Sequence, residues 1–210
     1  DLTLGCGSVI LLFCLMSLAG IGGIPYTRAA IFLLTAATFL PAVSGREECK
    51  RMRERSRVVW TAKEGGPSLP AALLLAFMIS MLLLQAGRMN ICADYDSLHY
   101  GLRPEYILND GRGIYENMGS INVVYTYSKG LEILLFPLSG LPSYSFILSF
   151  QLWMTVGILW AADAIVGLFA RRECGILCMA ILSSIPGIMN MGITAKTDSA
   201  TAMFQLFMIY

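Results

Sequence analysis

The sequence predicts an all-α integral membrane protein: a multi-span helical bundle with a large extracytoplasmic loop that contains short helices. Three observations lead there. Hydrophobic residues fill 56% of 210 positions and charged residues 14%, at a mean hydropathy of +0.66, which is more apolar surface than a soluble domain of this size can bury. Apolar runs recur at lengths suited to crossing about 30 Å of hydrocarbon at about 1.5 Å per residue. Between the third and fourth runs lie about fifty polar, tyrosine-rich residues, too many for a connector and enough for a small structured cap.

The expected spans are residues 2–24, 27–44, 69–87, 144–170, 175–193 and 200–210, all within one transmembrane domain. The second is short but uncharged from Ala29 to Val43 and can borrow flanking residues. The last is still open at Tyr210, and no initiator Met begins the chain. Residues 1–210 are therefore expected to be the N-terminal part of a longer protein. Within the 88–140 loop, "LEILLFPLSGL" (131–141) is too short to cross and is broken by Pro137 and Gly140. It is expected to be a re-entrant or interfacial helix.

Orientation follows from the basic residues. Arg46, Lys50, Arg51, Arg53, Arg55, Arg57 and Lys63, seven of the 15 Lys and Arg, fall in the link after the second span. By the positive-inside rule that link is cytoplasmic, with anionic lipid headgroups as its natural company and no nucleic-acid partner. Counting spans onward places Arg171 and Arg172 in a second cytoplasmic turn, so the two signals agree. The 88–140 loop and "AKTDSA" (195–200) then share the outer face and can meet. The expected location is a bacterial cytoplasmic membrane with the site on its outer face.

The six cysteines indicate no disulfide framework and no zinc site, because Cys92 alone faces outward and no CxxC pair or His/Cys cluster occurs. A divalent metal is left open, and no other cofactor is indicated.

Candidate chemistry concentrates in "ICADYDSLHYGLRPEY" (91–106). Asp96, His99 and Arg103 would align on one helix face by their i, i+3 and i, i+4 spacing, as a base with supporting donors or as ordinary pairs on a hydrated loop helix. Tyr100, Glu105 and Arg112 add polar and aromatic groups to the same loop. Lys129 and Glu132 stand where it re-enters the apolar phase, and Lys196 and Asp198 at the mouth of a later span. Ionisable groups at that depth must pair, snorkel or meet a ligand. For Asp198 the plainer reading is a helix start. Asp163, inside a span and about two turns from Arg171, is left out of the site.

These residues resemble a family, the membrane glycosyltransferases of the GT-C superfamily, in particular the protein O-mannosyltransferase and aminoarabinose-transferase branch. That branch opens its first outer loop with Asp-Glu and then a His and an aromatic residue. "DSLHYG" (96–101) is similar, with Asp96 at the acidic position, Ser97 in place of Glu, His99 at the His and Tyr100 at the aromatic. "YTYSKGLEIL" (125–134) resembles the segment in which a Lys, here Lys129, precedes the next apolar stretch. The resemblance covers about a quarter of the chain. It implies a GT-C-like bundle, a polyprenyl-phosphate sugar donor, an extracytoplasmic acceptor of unknown identity and a loop Asp acting at the outer membrane face.

On that basis Asp96, Asp94 and His99 are the candidate catalytic residues, Arg103, Arg112, Lys129 and Lys196 bind the donor phosphate, and Tyr100, Glu105 and Asp198 support them. The expected activity is glycosyl transfer from the lipid-linked donor. The alternative is a multi-span transporter or flippase, which predicts charge along a path through the bundle rather than in one outer loop. A non-catalytic scaffold is the third reading, and it predicts that the loop acids are dispensable.

Overall fold

The computed structural model describes residues 2–44, 68–90, 94–98 and 130–210. The elements in order are α1 (Leu2–Leu18), α2 (Ile24–Ser44), α3 (Leu69–Arg88), α4 (Gly130–Leu135) with a 3-10 turn at Phe136–Leu138, α5 (Ser145–Gly167), α6 (Arg172–Ser184), α7 (Pro186–Met191) and α8 (Asp198–Ile209). Among the described residues there is no strand, so the all-helical expectation holds.

Two of these helices, Leu69–Arg88 and Ser145–Gly167, are long and apolar enough to cross a membrane. They differ in surroundings. α3 is built of strong helix formers after Pro70 in its first turn, carries Arg88 in its last turn, and buries Ala71 and Gln85. The Arg sits where the helix dipole favours a cation. Its Leu73, Leu83 and Leu84 side chains are exposed, an apolar surface that calls for lipid or a partner rather than water. α5 instead runs through the middle of the bundle, with Leu148, Gln151, Thr155, Ile158 and Ala162 among its buried residues at helical spacing.

α5 packs against α6 on one side and α8 on the other, and α3 lies against α6. The α5–α8 contact is close because Gly157 leaves room for the Met203 side chain, as small residues do where helix backbones approach. Trp160 and Phe207 meet edge to face across the same contact, with centroids 5.5 Å apart. α1 packs on α4 and α8, and α2 on the 136–138 turn. There the Arg28 guanidinium donates to the Pro137 carbonyl at 2.8 Å and the Ser139 carbonyl at 2.6 Å.

Chain breaks fall where backbone chemistry requires them. The apolar stretch 130–170 is not one helix: the 3-10 turn at Pro137 is followed by Gly140 in the left-handed region at φ 69°, a conformation open to glycine at little cost. The stretch 175–193, expected as a single span, divides into α6 and α7. Pro186 supplies no N–H and disfavours helical backbone in the residue before it, and Ile185 is accordingly extended at φ −80°, ψ 112°. α1 likewise stops at Leu18 rather than reaching residue 24, turning at Gly20 with φ 75°.

Hydrogen bonds tie one end of the bundle together. Arg88 at the end of α3 donates to Asn190 Oδ1 in α7 at 3.1 Å, and the Ser145 hydroxyl at the start of α5 donates to Asn90 Oδ1 at 2.5 Å. The end of α3, the start of α5 and the end of α7 therefore lie side by side, and the chain between α7 and α8 turns at this same end.

Candidate functional site

Residues 94–98 form one helical turn closed by the Leu98 N–H donating to the Asp94 carbonyl at 3.1 Å. Asp94 caps it. Its Oδ2 accepts from the Ser97 backbone N–H at 2.9 Å and from the Ser97 hydroxyl at 2.8 Å, the arrangement by which an N-cap side chain satisfies a donor of the first turn. The same Ser97 Oγ accepts the Ala195 N–H at 2.9 Å, and Ser97 is fully buried. Ser97 thus joins the segment that follows α3 to the turn before α8.

Lys196 completes the junction. Its Nζ lies 3.2 Å from Asp94 Oδ1 and 3.0 Å from Asp96 Oδ2. The ammonium, on the facing segment, bridges the two acids. Burial pushes the Asp94 carboxyl up, but the Ser97 bonds and Lys196 outweigh it, so the group is held below 3.8. Hydrogen bonding to Asp96 first, and then to Asp94, raises the Lys196 ammonium above 10.5. With side chains 27% exposed at Lys196 and Asp94 and 43% at Asp96, each ion pair contributes only about 0–1 kcal/mol.

Beside this junction lies a cavity of about 600 Å³. Its polar wall is Asp96, Glu132, Lys196 and Asp198, and its apolar wall includes Ile10 of α1, Leu134 of α4 and Phe204 of α8. Asp198 is the first residue of α8, so it both starts the helix and faces the cavity. Glu132, in the first turn of α4, is buried.

The structure therefore brings together Asp94, Asp96, Lys196 and Asp198 of the candidate residues. His99, Tyr100, Arg103, Glu105, Arg112 and Lys129 lie outside the described residues, so the expected alignment of Asp96 with His99 and Arg103 lies there too. Asp163 is away from this site, its carboxylate packed against Gly175 in the first turn of α6. Among the described residues no three His, Cys, Asp or Glu side chains form a group able to hold a metal ion.

Two residues gain importance that the sequence reading did not give them. Ser97 stood only as a departure from the resembled motif, although "DYDS" itself carries the signal, an Asp three residues ahead of the N–H it caps. Glu132 reads in the sequence as a membrane-edge residue and joins the cavity wall only through the fold. Fold and site together define, among the described residues, an all-helical arrangement with two helices long and apolar enough to cross a membrane and a carboxylate–lysine junction beside an amphiphilic cavity. Comparison with known proteins finds no family, curated protein or solved structure that matches the chain.

Proposed function

We propose that this chain is part of a multi-span integral membrane glycosyltransferase of the GT-C type, transferring a sugar from a polyprenyl-phosphate-linked donor to an acceptor on the outer face of a cytoplasmic membrane. The observation that carries this is the cavity, whose polar wall holds Asp96 and Lys196 and whose apolar wall continues into α1, a helix with Leu11 and Leu15 exposed. The Lys196 ammonium offers a contact to a phosphate head and the apolar wall one to a hydrocarbon tail.

In this reading Asp96 accepts the proton of the acceptor hydroxyl as its oxygen bonds to the anomeric carbon. The bond from that carbon to the phosphate oxygen breaks, and the polyprenyl phosphate departs with the electron pair. One displacement of this kind inverts the anomeric centre. Lys196, joined by Lys129, Arg103 and Arg112 from the loop, offsets the charge growing on the leaving phosphate. Asp94 differs from Asp96 in that three hydrogen bonds or ion contacts occupy its oxygens. It holds the turn rather than the proton.

Asp96→Asn keeps the shape and removes the proton acceptor. Transfer by the purified full-length protein should fall by about 10²–10⁴-fold, the usual contribution of a general base, at unchanged membrane levels. Wild-type rates in that variant would remove Asp96 from the role. A wild type that consumes no polyprenyl-phosphate sugar would favour a transporter, a reading that the interruption between α6 and α7 also suits, since broken helices mark substrate paths in such proteins.

A further inference from the structure

The two carboxylates that share Lys196 are not held alike. Asp94 Oδ2 takes both Ser97 bonds, and Ser97 is buried and fixed to the Ala195 N–H, so Asp94 is anchored to the segment that carries Lys196. Among the described residues Asp96 has no such support. Its side chain is 43% exposed and borders the cavity, and among the described residues its contact is Lys196 at 3.0 Å.

The junction of two carboxylates and one ammonium carries one net negative charge. A phosphate entering the cavity would add more negative charge at the same place. An ammonium has three N–H donors, and two of them serve the carboxylates; a phosphate arriving at the third brings like charge against both acids, and the one with the fewest other bonds gives way. Partly exposed ion pairs are weak enough for such an exchange.

We propose that Lys196 is an exchangeable cation: anchored on Asp94, it gives up Asp96 for the phosphate of an entering ligand and leaves Asp96 uncompensated. This deepens the glycosyltransferase reading and rests on it for the later role of Asp96. The consequence is an order of events in which the base becomes available only once a phosphate occupies the cavity. Ser97 acts here as a positioning residue through Asp94. The exchange itself is a binding event and can be measured without sugar transfer.

The test is calorimetric binding of decyl phosphate, and separately of inorganic phosphate, to the full-length protein in detergent. Asp96→Asn removes the competitor for Lys196 and should tighten binding about threefold or more, while Asp94→Asn removes the anchor and should tighten nothing. Lys196→Met should weaken binding, leaving only the loop cations, and wild-type affinity in that variant would overturn the exchange. Equal tightening by both Asp variants would mean simple loss of negative charge and would overturn the exchange, as would no tightening by Asp96→Asn. In the wild type, which needs no variant to fold, infrared difference spectra should show a carboxylate band shift when decyl phosphate is added, and an unmoved carboxylate region also overturns it.

The same pattern with inorganic phosphate supports exchange with a free anion. The pattern with decyl phosphate alone supports exchange with a lipid headgroup. Failure of the two readings is separable: exchange without any sugar transfer removes the transferase, and transfer without tightening by Asp96→Asn removes the exchange alone.

Discussion

At Asp94 a local rule and a distant contact act on one side chain. The cap to Ser97 is four residues long and written in the sequence, whereas Lys196 arrives from 102 residues away; together they hold the Asp94 carboxyl below 3.8, and the two acids hold the Lys196 ammonium above 10.5. The sign of the pH dependence follows. The folded Asp94 value is depressed, so its contribution is present above 3.8 and lost as pH falls through the lower folded value. The folded Lys196 value is raised, so its contribution is present below 10.5 and lost as pH rises through the higher folded value. The thermal midpoint of wild type should therefore exceed that of Asp94→Asn by a constant margin between about pH 5 and 9, and the margin should shrink in acid. A margin that grows on acidification would mean that Asp94 is not held as an ionised partner.

Among the elements, α5 carries the sharpest local conflict. Gln151 is wholly enclosed, and neither atom of its amide has a hydrogen-bond partner among the described residues. An unsatisfied buried polar group costs about 1–3 kcal/mol, while an apolar replacement of similar shape removes that cost. Gln151→Met should accordingly raise the thermal midpoint of the full-length protein. A lowered midpoint would show that the amide holds a polar partner, such as bound water. The helix boundaries tell a second story at this scale. Pro186 was visible in the sequence, yet the uninterrupted apolar composition of 175–193 outweighed it in the span count, because hydropathy sums side chains and does not see a missing N–H. At Pro137 and Gly140 the surrounding run was too short to hide the break.

For the whole molecule, the charge pattern makes a claim that the packing does not touch. The proposed orientation, with Arg46–Lys63 and Arg171–Arg172 cytoplasmic by the positive-inside rule, requires that a cysteine introduced at Ser56 resist an impermeant thiol reagent in intact cells and react after permeabilisation. Labelling in intact cells would reverse the proposed orientation and place the Asp94–Lys196 junction on the inner face. The bundle end itself does not depend on that result, since Arg88–Asn190 and Asn90–Ser145 bring the ends of the helices together by direct contact.

The sequence by itself determined that the chain is helical and apolar, and that acids after the third apolar run could meet Lys196 and Asp198. Hydropathy, helical spacing and basic clusters are properties of short segments, and short segments suffice to state them. Only the tertiary structure decided that Asp94 and Asp96 share one ammonium, that Ser97 is the buried link between the loop and the turn before α8, and that Glu132 joins the cavity wall. Each of these depends on the few ångströms between segments about 35 to 100 residues apart, a separation encoded in no single stretch of the chain.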